Sequence, residues 1–134
     1  MSFHLRIARP STDLARSVKM YCEGLQFRLL GEFKNHQGFD GVMLGNVGAG
    51  YHLEFTSCPS APVQPSSTPE DLLVFYVPEQ RPWEAACQRM TQAGFREVIA
   101  HNPYWRLKGQ SFEDADGYRV VLQNDGWDSY PTPA

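Results

Sequence analysis

Residues 57–70, SCPSAPVQPSSTPE, hold four prolines and four serines and divide the chain into two halves of matching order. Proline fixes its own φ and lacks an N–H, so this composition suits an extended connector and disfavours a strand or helix. The segment is too short to separate independent domains. The expectation is a single domain over 1–134, with a first module at 4–56, the connector at 57–70 and a second module at 71–123.

On the N-terminal side, residues 3–7 alternate as a short strand, with His4 and Arg6 on one face and Leu5 and Ile7 on the other. Pro10 and Ser11-Thr12-Asp13 break it and offer a helix cap. Leu14, Val18, Tyr21 and Leu25 then recur at helical spacing, and Gly24 is placed to stop that helix. Strands are expected at 27–33, 40–45 and 51–56, separated by the turn at 34–38 and the Gly-rich segment 46–50. In 51–56, Tyr51, Leu53 and Phe55 share the apolar face, and His52 and Glu54 the polar one.

On the C-terminal side the order repeats. A strand at 71–77 precedes a helix with Pro82 in its first turn and an apolar stripe of Trp83, Ala86, Cys87, Met90 and Ala93, ended by Gly94. Further strands are expected at 95–100, within 106–113, and at 118–123 after the Asp114-Ala115-Asp116-Gly117 turn. The expected fold class is α+β: tandem βαβββ modules whose curved mixed sheets bury one face under the helices and enclose a ligand-sized cleft with the other.

Composition narrows the function classes. Twelve basic and 15 acidic side chains give a net charge of −3 with no basic cluster, which argues against a nucleic-acid partner. No apolar stretch approaches the length of a membrane span, so no membrane association is expected. Cys22, Cys58 and Cys87 are an odd number without metal-finger spacing, and the N-terminus lacks a secretory pattern. A cytoplasmic protein with free thiols is expected.

The pieces RIARPSTDLARSVKMYCEGLQFRLLGEF (6–33), GYHLEFT (50–56), LLVFYV (72–77), AGF (93–95) and SFEDADGYRVVLQN (111–124), in this order, resemble the glyoxalase, bleomycin-resistance and extradiol-dioxygenase superfamily, also called vicinal-oxygen-chelate proteins. The resemblance implies a divalent-metal site drawn from the first and last strands of both halves. Residue by residue, Glu54 matches the acidic position of the first half. The first-strand position falls on Arg6, or on His4 if the strand is extended by two residues. The second-half positions fall on Leu72 and Val121, neither of which can coordinate a metal.

Beside a purely polar patch in which His52 bonds Glu54 or Arg6, two functional readings of the polar strand face follow, with His52 a candidate ligand contact in either. His4, His52 and Glu54 are the candidate metal ligands, since an i,i+2 pair on a strand points both groups one way. Alternatively Arg6 pairs with Glu54, removes the need for a cation, and holds a ligand carboxylate with its forked donors. The second reading is preferred, with no cofactor expected and a divalent metal as the alternative. Tyr104, Trp105 and Arg106 are candidates for stacking on and recognising a ligand, or for plugging a sheet end or packing at a subunit interface. Arg119 and Gln123 share strand parity with Val121 and are expected to face the cleft as polar ligand contacts.

Three functions compete. The first is a metal-independent cleft binding a small amphipathic or aromatic molecule, similar in mode to bleomycin-resistance proteins, with the homodimeric state the resemblance implies. The second is a metal-dependent lyase, isomerase or dioxygenase with Glu54 as catalytic base or ligand. The third is a non-catalytic interaction or assembly protein.

Overall fold

The computed structural model describes residues 1–129, and two four-stranded mixed sheets account for most of them. The first module runs β1 (Leu5–Pro10), α1 (Leu14–Leu25), β2 (Arg28–His36), β3 (Phe39–Gly45) and β4 (Tyr51–Ser57). The second runs β5 (Leu72–Tyr76), α2 (Gln80–Gln92), β6 (Arg96–Val98), α3 (Tyr104–Leu107), β7 (Gly109–Glu113) and β8 (Arg119–Gln123). Sheet orders are β1-β4-β3-β2 and β5-β8-β7-β6, so each module pairs its first and last strands in parallel and the others antiparallel. No helix among the described residues is long and apolar enough to cross a membrane.

The two helices meet, and both sheets turn their apolar faces onto them, which makes one shared core. Tyr21, Leu44, Leu53, Phe55, Met90, Phe112, Val120 and Leu122 are its fully buried centre. Each such side chain contributes about 1.5–3 kcal/mol by leaving water. The Tyr21 ring lies 5.0 Å from Phe55 and meets Phe95 edge-on at 5.2 Å, tying α1 to β4 and to the residue that precedes β6.

Polar bonds close the same seam. Tyr21 donates its hydroxyl to Asp114 at 2.7 Å, and Tyr118 donates to the Pro10 carbonyl at 3.0 Å. Thr12 and Arg16 both bond Asp116. Asp114 also accepts the backbone N–H groups of Asp116 and Tyr118 across the turn that the DADG sequence predicts. Burial raises the Asp114 carboxyl above its ordinary value, with these three hydrogen bonds working the other way.

Three local expectations change. The first strand continues to Pro10, because β1 is an edge strand on which a missing N–H need cost no ladder bond. Gly24 lies inside α1, buried where an added Cβ would stand 2.8 Å from Met90 Sδ, and Gln26 makes the left-handed turn that ends the helix. Residues 104–107 form the single-turn helix α3, so the strand expected in 106–113 begins only at Gly109. Asn102 and Pro103 start that turn: the Asn102 side chain accepts the Tyr104 N–H at 3.0 Å, and Arg106 donates twice to the Ala100 carbonyl.

Candidate functional site

The parallel pairing of β1 with β4 sets Arg6 beside His52 and Ala8 beside Glu54. Leu53 and Phe55 enter the core, so His52 and Glu54 stand on the opposite face with Arg6, as their alternation requires. Arg6 lies between them. Its Nε donates to His52 Nε2 at 2.8 Å and one Nη to Glu54 Oε2 at 3.1 Å. The other Nη makes no bond among the described residues, and the side chain is 49% exposed.

This arrangement dictates the protonation of His52. A guanidinium can only donate, so Nε2 of His52 must be the accepting nitrogen and the ring is neutral with its proton on Nδ1. That Nδ1 lies 2.6 Å from His4 Nε2, which accepts it. Desolvation, then the Arg6 charge, then His4 hold the His52 pKa below its ordinary value, against a smaller opposing pull from Glu54. The result is an ordered chain, Glu54–Arg6–His52–His4, along one strand face.

The second sheet repeats the register. Leu72 pairs with Arg119 and Val74 with Val121, as Arg6 pairs with His52 and Ala8 with Glu54. Leu72 therefore holds the place of Arg6, and Val121 that of Glu54. The four positions at which the superfamily resemblance implies metal ligands carry a guanidinium, one carboxylate and two aliphatic side chains. A metal does not fit this set. His4, His52 and Glu54 do not substitute for it, because both His52 nitrogens are engaged, Nε2 by Arg6 and Nδ1 by His4, and Glu54 is bonded to Arg6. No group of three or more His, Cys, Asp or Glu among the described residues is placed to hold an ion.

The non-helical face of the second sheet is not open. Val121 is fully buried and Ser111 and Gln123 are 3% exposed, although all three point away from the core. Residues 99–107 cover them. The Trp105 carbonyl stands 2.6 Å from where a Gly109 Cβ would be, and Arg119 reaches the Ile99 carbonyl at 3.5 Å. Arg119 also bonds Glu113 at 3.2 Å, which takes a second bond from Arg96 at 2.6 Å. Tyr104 remains 55% exposed, edge-on to Trp105 at 4.9 Å.

The proposed residues thus fall into two groups. His4, Arg6, His52 and Glu54 are brought together on the first sheet. Arg119 and Gln123 lie under the 99–107 cover of the second, with Trp105 and Arg106 in the cover and Tyr104 on its outer side. Gly109 and Ser111, which line the covered space, were not singled out from the sequence. The signal was the ten-residue interval between β6 and β7, where the equivalent β2–β3 interval has two. The thiols are free, and burial pushes Cys87 up to about 11, which leaves it protonated and inert.

Comparison with known proteins identifies the family. Residues 5–56 match the YycE-like N-terminal domain and residues 70–124 the YycE-like C-terminal domain. The chain is 43% identical over 120 residues to the uncharacterized protein YycE of Bacillus subtilis (strain 168), covering 90% of this chain and 86% of that one. The crystal structure of a YycE protein from Bacillus subtilis superposes with a TM-score of 0.86 at 43% identity, covering 92% of this chain and 90% of that one. The trypanothione-dependent glyoxalase I of Leishmania major shares the fold at a TM-score of 0.71 and 19% identity, covering 93% and 88% of the two chains. TnmS3, an antibiotic binding protein from Streptomyces sp. CB03234, shares it at 0.63 and 21%, covering 92% and 94%. Both halves being matched in order, the chain belongs to the YycE-like family, within the glyoxalase/bleomycin-resistance superfamily.

Proposed function

We propose that the chain binds a small amphipathic or aromatic molecule bearing an acidic group, without a metal, and that Arg6 is the group that receives the acid. The observation carrying this reading is the Arg6 guanidinium at a position where the superfamily resemblance implies a metal ligand. Glu54 and His52 orient it, and one Nη is left without a bond among the described residues on a side chain half exposed to solvent. The remaining Nη of a guanidinium fixed in this way can donate a charge-assisted hydrogen bond to a carboxylate or similar oxyanion. The exposed Tyr104 ring and its neighbour Trp105 lie on the second module and are read as meeting the rest of the molecule only where a second copy brings them opposite Arg6. A shared fold with an antibiotic binding protein supports a binding role over the assembly role. Glu54, bonded to Arg6, is read as an orienting group and not as a catalytic base.

Among the described residues, none of the hydrogen bonds of His4, Arg6, His52 or Glu54 reaches the second sheet. Exposed Phe3, Leu5, Leu29 and Leu30 belong to the same module. We propose that a second copy covers them and closes the site, so the working form is a homodimer.

Calorimetric titration with aromatic carboxylates and their methyl esters, in the presence of a chelator, tests the reading. The acids should bind and the esters should not, and Arg6→Met should weaken the acids by about tenfold or more, as loss of a charged hydrogen-bond pair does. Equal binding of acids and esters, or binding that appears only on adding a divalent metal, would overturn it. Sedimentation equilibrium on the same samples should give two copies per particle, and a monomer that binds equally well would remove the second copy from the site.

A further inference from the structure

The face of the first sheet that carries Arg6 continues past Glu54. Side chains return to one face of a strand every second residue, so Ala8 and Pro10 follow Arg6, and Thr56 follows His52 and Glu54. Pro10 and Thr56 are register partners, two residues beyond the Ala8–Glu54 pair. Phe39 of β3 shares this face. It is in phase with Gly41, which pairs with Thr56, and out of phase with the core residues Val42 and Leu44.

At this end of the face lies a cavity of about 510 Å³ between the sheet and the proline-rich connector. Pro10, Thr56 and Phe39 line it from the sheet, and Pro59, Pro62 and Val63 from the connector. No charged side chain lines it; its other groups are hydroxyls, an amide and the Cys58 thiol. Two of those hydroxyls are engaged elsewhere, Ser11 with Ser17 at 2.7 Å and Thr12 with Asp116. The connector wall is held in shape. Its prolines fix their own φ, the Ala61 N–H donates to the Cys58 carbonyl at 3.0 Å, and Ser67 ties the far end to the Gly117 carbonyl at 2.8 Å. A wall already ordered loses little entropy on binding. Phe39 and Val63 leave 45% and 70% of their surface to water, apolar area that a ligand can cover.

We infer that this cavity receives the apolar body of the acid that Arg6 binds, and that the ligand is therefore elongated, with its acidic group at one end and an uncharged ring or alkyl body at the other. The inference rests on the acid-binding reading of Arg6 and adds the length and shape of the ligand. Arg6 and Pro10 stand four residues apart on one strand, about 13 Å. The guanidinium leans toward the cavity, since it reaches past His52 to Glu54. Acid and body are accordingly about 7–13 Å apart. On β1 the residue between them is Ala8, whose methyl group leaves room for a connecting chain. This wall is present in one chain, before a second copy adds Tyr104 and Trp105.

Benzoate and 6-phenylhexanoate share the acid and the ring and differ in reach. In calorimetric titration of the intact protein with a chelator present, 6-phenylhexanoate should bind about tenfold more tightly than benzoate, or better. The double variant Phe39→Ser/Val63→Ser changes two exposed side chains and should keep the parent's Tm. It should bring the longer acid down to the affinity of benzoate and leave benzoate unchanged, whereas Arg6→Met should weaken both. Bound 6-phenylhexanoate should also slow alkylation of Cys58 by iodoacetamide, read by mass spectrometry, and bound benzoate should not. Equal affinity of the two acids for the parent, or a double variant that still prefers the longer one, would overturn the inference and leave the acid-binding reading of Arg6 standing. So would alkylation of Cys58 that the longer acid does not slow. Failure of both acids to bind would overturn that reading and the inference with it.

Discussion

Arg6 decides the chemistry of the first sheet's polar face, and its effect is measurable on its neighbour. The guanidinium occupies His52 Nε2 and keeps that ring neutral, so the folded chain resists a proton that the unfolded chain accepts near pH 6.5. The His52 contribution to stability is therefore complete above that pH and declines as pH falls from there through the lowered folded value. An NMR titration should place the His52 midpoint below the ordinary histidine value. Arg6→Met should move it upward without restoring it fully, since desolvation is the larger cause. A midpoint unmoved by the substitution would mean that the Arg6 bond does not set the ring's state. The same residue was legible as a candidate from strand parity together with the superfamily resemblance. The choice between Arg6 and His4 was not, because His4 lies just outside β1 and reaches the site only by its contact with His52.

The ends of the two helices show how the repeated elements diverge. After α2, Gly94 takes the left-handed conformation at φ 102°, as its sequence position predicts. After α1 that conformation falls to Gln26, at φ 57° and exposed, because Gly24 is used for close packing against Met90 and Phe95. A non-glycine residue there is strained by about 1–2 kcal/mol, partly offset by the greater unfolded-state freedom of glycine. Gln26→Gly should therefore raise stability by about 0.5–1 kcal/mol in urea unfolding, and Gly94→Ala should lower it by a similar amount. A destabilising Gln26→Gly would show that the turn is not strained. From sequence the two glycines looked equivalent. What separated them was the helix–helix approach, which a periodicity argument does not contain.

Across the whole molecule the modules are joined by a buried seam, and Tyr21 is its centre. Its ring belongs to both halves of the core and its hydroxyl donates to Asp114 from the other module. Tyr21→Phe should cost about 1.5–3 kcal/mol in urea unfolding, the value of a buried hydrogen bond to a charged group. Unfolding should remain a single transition, because the two modules share one core. Two resolved transitions would mean that the modules are stable apart. A loss below about 0.5 kcal/mol would mean that water replaces the bond.

The sequence by itself determined the two modules, the order of their strands and of α1 and α2, and the polar face with Arg6, His52 and Glu54. These are consequences of alternation, helical spacing and side-chain chemistry, all local properties. The poor fit of Leu72 and Val121 to a metal followed from the superfamily resemblance, and α3 was not foreseen. The tertiary structure alone decided that Gly24 belongs to a helix contact, that residues 99–107 fold back over the second sheet, and that Ser111 and Gln123 are buried beneath them. Those outcomes depend on which surfaces meet after the chain has closed on itself, and strand parity says only which way a side chain points, not what will cover it.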